Sequence, residues 1–305
     1  MVKRYLPIIL IFIVFFAIYF QVIVEMATQW WDDSNYSHGL LIPIVSIYFI
    51  WLKKEELQKL VRKKSNLGLI FILLGAMIYI VGTAAAEFFT ARFSLVVILF
   101  GIILFYYGKD FVKKLWFPIL FLLFMIPIPY VIYYTVTFPM QLLSSQASTG
   151  VLQLIGMSVI REGNVINLPE YSLEVVEACS GLRSLMTLSA LGAAMAYITH
   201  KTIFGSITLF LFSVPIAIGA NVFRIVITAL GAYFISPKLA EGFLHEVSGI
   251  IVFLVGFISL GIVGTVINWI GDMDDYYPEA ENPLKISTQY KSEERIPENE
   301  VPLEV

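Results

Sequence analysis

Leu67-Gly-Leu-Ile-Phe-Ile-Leu-Leu-Gly-Ala-Met-Ile-Tyr-Ile-Val-Gly-Thr-Ala-Ala-Ala86 runs for twenty residues without one Asp, Glu, Lys, Arg or His. A helix of that length spans about 30 Å, the thickness of a bilayer's hydrocarbon core. Charge returns on both sides of it, with Arg62, Lys63 and Lys64 before and Glu87 after. The same alternation fills most of the chain, and apolar runs at about 5–27, 38–52, 67–86, 93–108, 115–135, 181–199, 203–222 and 249–270 read as spans. The reading is an all-α polytopic membrane protein of about eight transmembrane helices.

Composition agrees. Of 305 residues, 58% are hydrophobic, well above the roughly 45–50% apolar share of a soluble domain. The run from Tyr5 to about Ala27 is too long for the core of a signal peptide and is kept as a span. The net charge of -3 hides an asymmetry: residues 272–305 hold ten acidic against three basic side chains, and the first 271 hold 17 basic against 13 acidic. Residues 1–271 are therefore expected to form the membrane domain and 272–305 an acidic tail that does not pack. The basic residues sit in short loops, not in a stripe interleaved with aromatics, so no nucleic-acid surface is expected.

Those basic residues also set the expected orientation. Lys3 and Arg4 precede the first span, Lys53 to Lys64 follow the second, Lys109 to Lys114 the fourth, and His200 and Lys201 the sixth. Parity puts all four on the cytoplasmic side, with the N-terminus. Segment 136–179 is then extracytoplasmic and forms a small cap. Residues 138–157 read as an interfacial helix; Ser158–Leu168 and Tyr171–Val176 read as short strands around Glu162-Gly163-Asn164 and Pro169-Glu170 turns. Stretch 223–248 stays open: either a second full crossing, or a helix that ends on the outer side. Gly192, Ala196, Gly256, Gly261 and Gly264 are expected to permit close helix packing.

Polar residues inside lipid need a reason, because a central Arg costs about 2.5–3.5 kcal/mol on insertion scales. Asn221, Arg224 and Thr228 fall on one helical stripe among apolar neighbours, so the stripe should face a cavity or a partner; the bland reading is an Arg snorkelling to headgroups. Cys179 stands alone as the chain's single cysteine, which excludes an internal disulfide and suggests no four-ligand zinc site. It lies in Glu177-Ala178-Cys179-Ser180-Gly181-Leu182-Arg183-Ser184, where the cap meets the sixth span and Ser180 is a candidate N-cap. A helix N-terminus near an Arg favours the thiolate. Alone, a buried structural cysteine remains the simpler reading. His245 precedes the last span and titrates near neutrality, which suits a general acid/base. If 223–248 stays outside, Cys179, Arg224 and His245 share the outer leaflet; if it crosses, His245 is stranded on the other face.

The string Glu177 to Ser184, then Asn221-Val-Phe-Arg224-Ile225, then His245, resembles the Cys, Arg and His motifs of the exosortase and archaeosortase family. Trp31-Asp-Asp33-Ser-Asn-Tyr36-Ser37-His38-Gly39-Leu40, followed by Pro43 and Trp51, fits the same resemblance, which covers roughly residues 30–270 in order. It implies a cofactor-free cysteine peptidase/transpeptidase of a prokaryotic plasma membrane. Its partners would be exported proteins that end in a short motif such as Pro-Glu-Pro, a hydrophobic span and a basic end. A cell-surface acceptor, lipid-linked or glycan, would receive them. Carried onto this chain, Cys179, Arg224 and His245 are the triad. Arg183 rivals Arg224, His38 either joins the site or bonds a turn, Glu174 and Glu177 either orient His245 or face water, and Asn221 and Ser180 support. Two other readings remain: a membrane serine peptidase with Ser180 as nucleophile, and a transporter or scaffold with Arg224 and Asn221 along a solute path.

Overall fold

The computed structural model describes residues 2–169, 171–175, 182–199, 202–235 and 243–276, with only the backbone described for 2–9, 12, 182, 243–248 and 271–276. Among them the chain is helical nearly throughout. The helices are α1 (Val2–Asp32), α2 (Leu41–Leu52, entered through a 3-10 turn Ser37–Leu40), α3 (Lys54–Lys59), α4 (Leu67–Ala84), α5 (Phe88–Tyr106) and α6 (Lys109–Phe121). After these come α7 (Tyr130–Leu154), α8 (Leu182–Thr199), α9 (Ile203–Phe234) and α10 (Phe243–Tyr276). A three-stranded antiparallel sheet lies between α7 and α8: β1 (Ile160–Glu162), β2 (Val165–Asn167) and β3 (Ser172–Glu174), in the order 1-2-3. The strands fall where the sequence suggests. Gly163 at φ +62° makes the tight β1–β2 turn, a backbone conformation that side chains disfavour.

Five helices are long and apolar enough to cross a membrane (within α1, and α4, α5, α9 and α10), or six if the bent pair α6–α7 counts as one. The protein is a multi-pass membrane protein, and among the described residues the count of such helices is five or six rather than eight. Ser37–Leu52 is a shorter apolar helix, and α8 is less apolar than the five. The expected span 115–135 is not one helix. The backbone stops being α-helical after Phe121, passes through a 3-10 turn Leu122–Met125, and bends by 82° into α7. Ile126-Pro127-Ile128-Pro129 explains the break, since each proline removes a donor and pushes the residue before it out of the α region. Hydropathy alone cannot sense this. The expected interfacial helix 138–157 is accordingly the later part of a longer helix that begins at Tyr130.

The tightest pairing joins α4 and α5. Gly68, Gly75 and Gly82 recur every two turns on the buried face of α4. A Cβ on Gly68 would come within 2.3 Å of the Phe105 amide nitrogen, and one on Gly82 within 2.6 Å of the Ala91 nitrogen, so the backbones themselves touch. Of the small residues expected to serve packing, Gly192 and Gly256 do: a Cβ there would meet Ser213 Cβ at 2.9 Å and Leu188 Cδ1 at 2.5 Å. Ala196 is buried. Gly261 is not part of this packing, because a Cβ there meets nothing within 4 Å.

Stretch 223–248 does not turn back at residue 223. α9 runs unbroken through Arg224 to Phe234, and α10 begins at Phe243 and packs along α9. The two helices run antiparallel, so the end of α9 and the start of α10 lie at the same end of the pair.

Candidate functional site

The registers of α8, α9 and α10 set the geometry. Ser206 Oγ donates to the Ala196 carbonyl at 3.3 Å, and Ser213 Oγ to Ser189 Oγ at 3.3 Å. Each step along α8 is thus matched by one step back on α9, and Leu182, the first residue of α8, lies level with Ala220. Leu209, Ser213, Ala217, Ala220 and Arg224 form the buried stripe of α9. Arg224 continues that stripe one turn beyond the start of α8. It is 7% exposed and Thr228 equally so, which excludes an arginine snorkelling to solvent. Asn221, fully buried, donates from Nδ2 to Ser144 Oγ of α7 at 3.2 Å. Beyond it, Val222 to Leu230 pack against Leu152 of α7 and against Val159, Ile166 and Leu173 of the cap.

α10 runs parallel to α8. Gly256 lies on Leu188, Gly192 faces Leu260, and Asn268 Nδ2 donates to the Thr199 carbonyl at 3.4 Å. The same offset brings Leu182 level with Ile250, so the backbone of His245 stands just above the start of α8, at the height of Arg224. α2 is parallel to both: Phe49 meets Tyr197 edge-on at 5.1 Å, and Asn35 Oδ1 accepts from Arg183 Nε at 3.4 Å. The N-terminal parts of α2, α8 and α10 therefore point to one end of the bundle, with the start of α10 about 10 Å beyond that of α8. Between them lies a cavity of about 270 Å³ lined by Ser37, His38, Leu41, Arg183, Ser184, Thr187, Leu188, Gly249 and Phe253. The 3-10 entry to α2 and the start of α8, both at this cavity, give it a positive electrostatic character, suited to a thiolate or an oxyanion.

Of the residues singled out from sequence, His38 and Arg183 line this cavity. His38 is 8% exposed; the carbonyls of Phe124 and Asn35 flank its ring, yet neither ring nitrogen reaches a hydrogen-bond partner among the described residues. Arg183 is engaged with Ser34 Oγ and Asn35 Oδ1, which ties the start of α8 to the turn after α1. Arg224 and the backbone of His245 stand at the same level on α9 and α10. Cys179, Glu177 and Ser180 lie outside the described residues, as does the side chain of His245. Glu174 on β3 is exposed.

Sequence reading missed Arg92. The expected span began at residue 93, leaving Arg92 at a border, whereas α5 starts at Phe88 and buries it one turn in, at 7% exposure. Its Nη1 donates to Gln29 Oε1 at 2.7 Å, and its guanidinium lies 5.6 Å from the Phe88 ring centroid. With Tyr36, Glu87 and Pro129 it lines a second cavity, of about 500 Å³. The signal available was Glu87. Its side chain caps α5 by accepting from the Phe89 and Thr90 amides at 3.3 and 2.6 Å, which fixes the helix start five residues before Arg92. Partial burial works to raise the Glu87 carboxyl, but these donors outweigh it and hold its pKa below the usual carboxylate range. No group of His, Cys, Asp and Glu among the described residues is arranged to hold a metal ion.

A family model described as transmembrane exosortase matches residues 30–262. No curated protein and no solved structure matches the chain.

Proposed function

The chain belongs to the transmembrane exosortase family, and from that premise we propose that it cleaves exported proteins at a C-terminal sorting signal and passes them to an acceptor through a thioester on Cys179. Sorting-signal processing and transpeptidation are what the family implies; motif, thioester and residue roles are the proposal. The observation that carries it is the shared level of buried Arg224 on α9 and the backbone of His245 on α10, one turn past the start of α8. Cys179 lies three residues before Leu182, so chain continuity keeps its Cα within about 11 Å of the start of α8. A thiol at a helix start near a cation is the setting in which the thiolate is favoured.

In the first half-reaction the Cys179 thiolate adds to the scissile carbonyl, and the oxyanion that forms is met by Arg224 and the helix-start amides. The C–N bond then breaks, the leaving amine takes its proton from His245, and the thioester remains. In the second half, the neutral His245 takes a proton from an amine or water as it attacks the thioester, and the thiolate is released. The cavity wall of His38, Ser37 and Thr187 offers polar contacts to the substrate backbone. Arg183, held by Ser34 and Asn35, acts as a tether for the start of α8 in this scheme. The N-terminus is cytoplasmic and the cavity opens on the extracytoplasmic side of the plasma membrane.

The test is processing of an exported reporter carrying Pro-Glu-Pro, a hydrophobic span and a basic flank. Cys179→Ala and Cys179→Ser should abolish cleavage, and Ser180→Ala should retain it. Cleavage that survives Cys179→Ala but is lost in Ser180→Ala would assign a serine peptidase instead. Reporter that passes untouched through wild-type membranes would refute the peptidase reading.

A further inference from the structure

We propose that the gap between α2 and α10, floored by α8, is a lateral groove in which the substrate's hydrophobic span docks as an added helix, parallel to all three. This rests on the peptidase reading above and adds where the membrane part of the substrate is held.

The groove follows from which faces are covered. α10 packs on α8 and α9, whereas α2 packs on α6 and the two 3-10 turns. On α8, the face with Ala190, Ala193 and Tyr197 belongs to the α2 and α6 side, and the face with Leu188 and Gly192 belongs to α10. Between these faces a third stripe, Ser184, Thr187, Leu191 and Ile198, remains half-buried to exposed, with Ile198 at 57%. Its flanks are the exposed sides of Leu41 and Tyr48 on α2 and of Phe253 and Phe257 on α10.

Continuity with the cavity identifies the occupant. Leu41 and Phe253 line the cavity and also flank the groove, and the α8 stripe changes along its length from Ser184 and Thr187 to Leu191 and Ile198. A polypeptide that passes from a polar, extended segment into an apolar helix matches that change; a lipid chain matches only the lower half. From Phe253 to Ile270 α10 offers a wall about 26 Å long, close to the length of a membrane span. Charge completes the fit. A span entering from the cavity end finishes in the cytoplasm, where it carries basic residues. The last turns of α10 carry Asp272, Asp274 and Asp275. The lysines at the end of α2 are turned onto rings, Lys53 over Tyr197 at 5.0 Å and Lys54 over Trp51 at 4.7 Å.

The experiment uses full-length protein with Cys179→Ala, so that uncut reporter accumulates, and a photo-crosslinking phenylalanine analogue at one position. Thr187 probes the cavity, Tyr48 and Phe257 the groove, and Ile70, 59% exposed on α4, an unrelated lipid-facing surface. Crosslinks to the reporter's span from Tyr48 and Phe257, and none from Ile70, are expected. Crosslinking from Thr187 but from neither groove position overturns the docking while leaving the peptidase reading intact. Equal crosslinking from Ile70 also overturns it. No crosslink anywhere, with no cleavage by wild type, removes both. In the cleavage-competent protein, replacing Asp272, Asp274 and Asp275 together by lysine should slow cleavage about tenfold for a reporter with a basic flank, and not at all for one with a serine flank. An equal slowing of both reporters would remove the flank contact.

Discussion

Replacing Arg224 by glutamine removes the cation while keeping a side chain of similar length on the buried stripe of α9. Four residues separate Ala220, level with Leu182, from Arg224, so the Arg224 Cα lies about 6 Å past the first residue of α8. In an active site, one donor aimed at a developing oxyanion contributes about 2.7–4 kcal/mol, and at about 1.36 kcal/mol per factor of ten its loss lowers kcat/KM roughly 100- to 1,000-fold. Arg224→Lys keeps the charge without the planar fork and should retain part of that, falling about tenfold. The assay is the initial rate of reporter cleavage in membranes, with the variants' insertion and thermal stability matched to wild type. A second reading is the rate of Cys179 alkylation, which should drop in Arg224→Gln because the thiolate loses a neighbouring cation. A glutamine variant that inserts normally, alkylates at the wild-type rate and cleaves within about threefold of wild type would refute the role given to Arg224.

The other expectations concern the scaffold. Gly68→Val should break the α4–α5 hairpin, since the new Cβ would lie 2.3 Å from the Phe105 nitrogen; a loss of about 3 kcal/mol or more, read as lower accumulation and earlier thermal unfolding in detergent, is expected, against little change for Gly261→Ala in open space. Glu87→Gln should cost about 1 kcal/mol at neutral pH. Its folded-state pKa is depressed, so its stabilisation is complete above the ordinary carboxylate value and fades as pH falls through the lower folded value. Wild type and variant should therefore converge in acid, and a gap that persists there would sink the argument. Asn221→Leu strands Ser144 Oγ against an apolar neighbour and should destabilise the α7–α9 contact by about 1–3 kcal/mol, measured by thermal unfolding. Glu56→Gln removes only the exposed pair with Lys114 (2.5 Å) and should leave thermal stability unchanged.

Residues such as 67–86 announce themselves because a bilayer demands long uncharged helices with every backbone group bonded internally. The helical membrane fold is therefore written locally in the sequence. The cap strands are also local, set by Gly163 and by alternating apolar residues from Ile160 to Leu173. The buried stripe of Asn221, Arg224 and Thr228 is legible for the same reason, as polar groups in lipid must face protein. The sequence by itself thus determined the membrane class, the cap, the stripe and the family motifs. Long-range packing decided the rest. The bend at Pro127 and Pro129 is invisible to hydropathy, which counts apolar residues without regard to direction. Whether 223–248 crosses again depended on α9 continuing to Phe234 against α8 and α10, because an apolar run carries no mark of where its helix ends. Above all, the parallel arrangement of α2, α8 and α10 arises from contacts between residues far apart in the chain, such as Asn35 with Arg183 and Leu188 with Gly256. Register between helices is set by side-chain interdigitation across the pair, which no single segment encodes.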